Sequence, residues 1–150
     1  GNIFDHIEVN YSYPKGVRAF MAQRQQRRCH NENSDYLLGT KGRGEIARSI
    51  FIENAKGRWS YDGKKENMYQ IEHNELFESI RAGKPINNGD RMALSTMMAI
   101  MGRTAAYTGK EITYEQILNA KENRYPKDIN WETGKHTPPP LAKPGITPFV

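Results

Sequence analysis

The strongest pattern of apolar and polar positions lies between Asp90 and Gly109, DRMALSTMMAIMGRTAAYTG. Leu94, Met97, Met98, Met101 and Ala105 recur at three- and four-residue steps, which puts them on one helical face, with Asp90 as N-cap and Gly109 as stop. The opposite side carries Met92, Thr96, Ala99, Ala106 and Tyr107, and between Met92 and Tyr107 the only charge is Arg103, so the pattern predicts a helix covered on more than one side. The methionines read as core filling, because unbranched thioethers occupy irregular gaps.

Elsewhere the period is two. Ile7, Val9, Tyr11 and Tyr13 alternate with His6, Glu8, Asn10 and Ser12; Pro14-Lys15-Gly16 is turn chemistry, and residues 17–25 return, giving an antiparallel hairpin. Residues 26–35 are rich in Arg, His and Asn and form a loop. Short strands follow at 36–38, 45–47, 49–53 and 58–61, with the glycines of GTKGRG as punctuation and Trp59 and Tyr61 sharing a face. That glycine run lacks the Gly-Lys-Ser/Thr ending and the following helix of a phosphate loop.

At Asn67 the period lengthens to about 3.6. Asn67 and Gln70 have capping-box spacing, and Tyr69, His73, Leu76, Phe77 and Ile80 form an apolar stripe that ends at Gly83-Lys84-Pro85. A second capping box, Thr113 to Gln116, opens a short helix that turns Tyr114, Ile117 and Leu118 inward. The expected helices are therefore about 68–82, 90–108 and 114–120, after strands within about 4–61. Strands first and helices second predict an α+β fold: a mainly antiparallel β-sheet covered on one face by helices, the other face open for oligomerisation. The expected domain is 1–125. Six of the eight prolines fall within 126–150, so the ending is an extended tail packed on the domain through Trp131, Leu141, Ile146, Phe149 and Val150.

Composition adds bounds. A chain of 150 residues can bury about two-thirds of its unfolded surface as one domain. One cysteine, Cys29, excludes an internal disulfide and a cysteine-rich zinc site. No apolar run is long enough to span a bilayer, so no membrane partner is expected. The opening GNIFDHIEV reads as a start in mid-strand, the mark of a fragment with its upstream half and any targeting signal elsewhere; both a cytoplasmic and an exported protein stay open. The +5 charge is mild and interspersed, densest at Arg24, Arg27 and Arg28, which is the pattern of a solvated basic loop.

No side-chain constellation announces catalysis. His6 beside Asp5, and His30 among Arg27, Arg28, Asn31 and Asn33, are candidate polar sites with surface groups as the alternative. Glu72-His73 lacks the second histidine of a zinc motif, and no metal ligand set is expected. Arg103, if buried, needs a carboxylate partner.

The order of YPKGVRAF, LLGTKGRGEI, the block EH…SIRAGKP…AIMGRTAAYTGKE and the ending PGITPFV resembles the C-terminal domain of the glucose-fructose oxidoreductase/inositol dehydrogenase/MocA family over nearly the whole chain. The resemblance implies a substrate-binding and oligomerisation domain of an NAD(P)-dependent sugar or polyol dehydrogenase. NAD or NADP would be bound by the protein's own N-terminal Rossmann domain, which this chain lacks, so the chain alone would be a non-catalytic part of an enzyme. NAD-assisted glycoside cleavage stays open, as does the choice of cofactor and of substrate. Arg24 and Gln25 match the family's Arg-Gln before the loop at the substrate pocket; His30 and Asn31 occupy that loop, His30 where relatives tend to carry an aromatic residue. Glu72 and His73 match the recurrent Glu-His pair. These six residues are the substrate-binding candidates. Lys84-Pro85 follows Gly rather than Glu, so neither a catalytic nor a cofactor-binding residue is assigned. A homo-oligomer is expected and nucleic acid is not, although a free-standing binding module for nucleic acid or another polyanion is the alternative reading.

Overall fold

The computed structural model describes residues 2–149. The fold is α+β, with antiparallel strands and helices as the patterning predicts, and the strands divide into two sheets. The chain forms two compact units, one of residues 1–27 and 87–150 and the other of 28–86.

The first unit begins with the alternating stretch. Strands β1 (His6–Ser12) and β2 (Arg18–Arg24) pair antiparallel with Val9 opposite Met21 and Tyr11 opposite Ala19. Ile7, Val9 and Tyr11 are half-buried, while the alternate positions face water. Helix α2 (Gly89–Thr108) lies on this face, and Tyr11 donates its hydroxyl proton to the Met98 carbonyl at 3.0 Å. Gly102 is required here by close approach: a β-carbon on it would run into the Tyr11 hydroxyl and lie 3.5 Å from Val9. Asp90 is not the N-cap; the helix starts one residue earlier, Asn87 accepts from the Gly89 N–H at 3.0 Å, and Asp90 sits in the first turn, where a carboxylate meets the positive end of the helix dipole. Gly109 ends the helix as expected, left-handed at φ 69° with its N–H on the Ala105 carbonyl.

The covered face of α2 differs from the expected one. Its buried residues are Gly102, Thr104, Tyr107 and Thr108, whereas Met92, Leu94, Met98 and Ile100 are exposed. Cover is thus confined to the C-terminal half, where β1 lies on one side and the tail on another. Short helix α3 (Tyr114–Leu118) forms with its capping box complete, Thr113 accepting from the Gln116 N–H at 3.1 Å and Gln116 accepting from the Thr113 N–H at 2.8 Å. It ends two residues earlier than expected, and only Ile117 is buried; Tyr114 and Leu118 face out. In the tail, Gly145 donates to the Thr108 carbonyl at 2.7 Å, closing an orphan acceptor at the end of α2. Trp131, Leu141 and Ile146 are exposed, Phe149 is half-buried, and Val150 lies outside the described residues.

The second unit is a four-strand meander, β3 (Asp35–Gly39), β4 (Gly42–Ile46), β5 (Phe51–Asn54) and β6 (Gly57–Ser60), followed by helix α1 (Met68–Arg81). Gly42 and Gly44 are strand residues rather than punctuation. A β-carbon on Gly44 would come within 2.9 Å of the Phe51 carbonyl, so the close approach of β5 selects glycine inside β4. The expected strands at 45–47 and 49–53 shift accordingly, and Ala47, at φ 85°, marks the bend between β4 and β5.

Register sorts the sheet into two unlike faces. Leu37, Gly44, Ile52 and Trp59 stand directly opposite one another across the four strands. Ile46 shares their face by the two-residue period of the strand. The row Leu38, Arg43, Glu53, Arg58 lies on the reverse, with Arg43–Glu53 at 3.1 Å, Arg58–Glu53 at 3.7 Å and the Arg58 guanidinium 3.7 Å above the Phe51 ring. Such exposed pairs stabilise by only about 0.2–1 kcal/mol each, and they share this face with the exposed Tyr36 and Leu38.

Asn67 caps α1 by accepting from the Tyr69 N–H at 3.0 Å, but the reciprocal half of a capping box is missing because Gln70 donates instead to Asn74 at 2.8 Å. No residue of α1 is buried, and Tyr69, Leu76, Phe77 and Ile80 of its apolar stripe are exposed.

Candidate functional site

A cavity lies within the first unit. It has a volume of about 540 Å³ and lies between the C-terminal half of α2 and the proline-rich tail. Its helical wall follows from spacing: Arg103, Thr104, Tyr107 and Thr108 fall at one-, three- and four-residue steps, on a face turned away from Gly102 and β1. The tail supplies Lys127, Asp128 and His136 among the other lining groups.

Tyr107 anchors the wall. It is 7% exposed, its ring stacks on Phe4 at 4.2 Å, and its hydroxyl accepts the Phe4 N–H at 2.9 Å. The Arg103 guanidinium lies 4.1 Å from the centre of the Tyr107 ring, a cation–π contact. Arg103 is half-buried, and among the described residues no carboxylate pairs with it. Thr104 is 2% exposed and its hydroxyl oxygen has no hydrogen-bond partner among the described residues.

The acids at the cavity are already engaged. Glu122 pairs with Arg124 at 2.5 Å. Asp128 accepts the Thr137 N–H at 2.9 Å, and its hydrogen bonding to Thr137 holds its carboxyl below the ordinary value. Among the described residues the positive charge of Arg103 therefore has no carboxylate counter-ion.

The residues singled out by sequence lie elsewhere. Arg24 ends β2 opposite His6, and Gln25 donates its N–H to the Asp5 carbonyl at 2.7 Å; both are exposed members of the first unit. His30 and Asn31, exposed, belong to the loop before β3 in the second unit, where His30 and Tyr36 both bond Glu32 at 3.3 and 2.5 Å. Those bonds, chiefly the Tyr36 hydroxyl, lower the Glu32 carboxyl and raise the Tyr36 phenol. Glu72 and His73 are exposed on α1; His73 donates from Nδ1 to the Tyr69 carbonyl one turn back at 2.6 Å, which ties it to its own helix. None of the six lines the cavity.

His6 is exposed and bonds Asp5 at 2.7 Å. Asp5 is lowered first by that bond and then by the Gln26 side chain. The pair sits in solvent at a strand end. Among the described residues no cluster of three or more His, Cys, Asp or Glu could hold a metal ion, and no helix is long and apolar enough to cross a membrane.

The left-handed Gly83 and Gly109 stand just after α1 and α2, at their carbonyl ends. Compared with protein-family models, curated proteins and solved structures, the chain has no match.

Proposed function

We propose that this chain is the substrate-side, oligomer-forming domain of an NAD(P)-dependent oxidoreductase acting on a sugar or polyol, with cofactor and hydride chemistry supplied by a separate Rossmann domain. The observation that carries the reading is the uncovered apolar face of the four-stranded sheet. Leu37, Ile46, Ile52 and Trp59 are 46–57% exposed there, while the reverse face is laced with ion pairs. An antiparallel sheet gains by turning one such face away from water, and a contiguous apolar patch of this kind marks a surface that another subunit covers. Family resemblance in the sequence adds the oxidoreductase context, since fold class by itself carries no chemistry. The substrate contacts fall in this reading to the donor-rich loop that follows β2.

Light scattering combined with a thermal-shift screen tests the reading. A dimer or larger assembly that is unmoved by NAD or NADP and stabilised by a sugar or polyol is the expected result. A monomer, or a chain that nicotinamide cofactors stabilise by themselves, would overturn it. Polyanion binding that weakens steeply with salt would favour the binding-module alternative.

A further inference from the structure

We infer that the cavity between α2 and the tail is a binding site for a small organic oxyanion, a carboxylate or phosphate on a compact hydroxylated body. At about 540 Å³ the cavity is within the range that small ligands occupy. Two independent features ask for the same kind of ligand. Arg103 holds a half-buried guanidinium without a carboxylate among the described residues, and removing such a charge from water without a counter-ion is unfavourable. Thr104, next along the wall, keeps a buried hydroxyl without a hydrogen-bond partner among the described residues, a rare condition that an acceptor brought beside it would relieve after a side-chain rotation.

The surroundings favour an anion over a cation. Glu122 and Asp128, the lining acids, are occupied by Arg124 and by the Thr137 N–H, so they are not open to a cationic guest. Lys127 and His136 add donors from the tail side. Tyr107, pinned by Phe4, fixes the plane on which Arg103 rests, so the guanidinium is held before a ligand arrives. Arginine in a fixed orientation suits the two parallel hydrogen bonds that a carboxylate or phosphate accepts. This site is independent of the sheet face on which the oligomerisation reading rests, and the two can fail separately.

Isothermal titration of the full chain with gluconate, inorganic phosphate and neutral myo-inositol tests the inference. Gluconate or phosphate should bind saturably at one site per chain, and whichever binds identifies the source of the oxyanion. Arg103→Gln should weaken that binding about tenfold or more, as expected for a lost hydrogen bond to a charged group. Because Arg103 also packs on Tyr107, Lys127→Gln serves as an exposed second variant, with a smaller loss of affinity and an unchanged melting curve. No saturable binding of either anion, myo-inositol binding that Arg103→Gln weakens to the same degree, or full affinity in both variants would overturn the inference.

Discussion

The two units solve the same problem, an amphipathic antiparallel sheet, in opposite ways. The β1–β2 hairpin turns Val9 and Tyr11 toward α2, and the far side of that helix meets the tail, so Tyr107 and Thr104 are buried within the unit. The four-stranded sheet has better-developed cross-strand rows, yet Leu37, Ile52 and Trp59 stay more than half exposed, and α1 buries none of its residues. Strand pairing alone does not remove apolar surface from water; a second layer does. The first unit carries its second layer in its own sequence, and the second unit is completed by association in the reading proposed above.

The largest expected effect lies in the first unit. Tyr107→Ala removes a buried ring, its stack on Phe4 and its hydroxyl partner, and should cost about 3–5 kcal/mol in chemical unfolding. Ile52→Lys, on the uncovered face, should leave the stability of the isolated chain within about 0.5 kcal/mol, as surface changes do. It should nonetheless abolish the rise of melting temperature with protein concentration that an assembling wild type shows. A comparable cost for Ile52→Lys at all concentrations would erase the contrast.

Gly102→Leu comes next. It forces side-chain atoms into the space of the Tyr11 hydroxyl, and overpacking of this kind costs about 1–3 kcal/mol. Thr113→Ala removes half of the only complete capping box in the described helices and should cost about 1 kcal/mol, read as loss of hydrogen-exchange protection around Ile117.

The smallest effect is a matter of pH. Hydrogen bonding to Thr137 lowers Asp128, so the folded carboxyl loses its charge at a lower pH than the unfolded one. Its stabilising contribution is present above the unfolded value near 3.8 and is lost as pH falls through the folded value. Amide exchange at Thr137 should accordingly accelerate below that pH relative to a neutral reference amide. A Thr137 amide indifferent to acid would remove this anchor from the account.

Local signals and long-range ones were unequally legible in the sequence. Helix limits followed from periodicity and caps: α1 and α2 lie within a residue of the expected ranges, because Asn67, Gly83 and Gly109 act on their immediate neighbours. The period-two alternation likewise placed Ile7, Val9 and Tyr11 on one face. Misreadings arose where a distant segment decides. Gly42 and Gly44 look like a turn until the approach of β5 explains them. The methionine stripe of α2 outscores Thr104 and Tyr107 in hydrophobicity, yet the tail covers the latter. The cavity itself left one trace, Arg103 on an otherwise uncharged stretch of helix. The six candidates drawn from resemblance lie in exposed positions, four of them in the second unit.

Sedimentation velocity on wild type and Ile52→Lys, across a hundredfold range of concentration, tests the central claim most directly, namely that the apolar sheet face is completed by another copy of the chain. The account predicts a wild-type dimer or larger assembly and a folded, monomeric Ile52→Lys. A wild type that stays monomeric throughout, or a variant that assembles like the wild type, would contradict it.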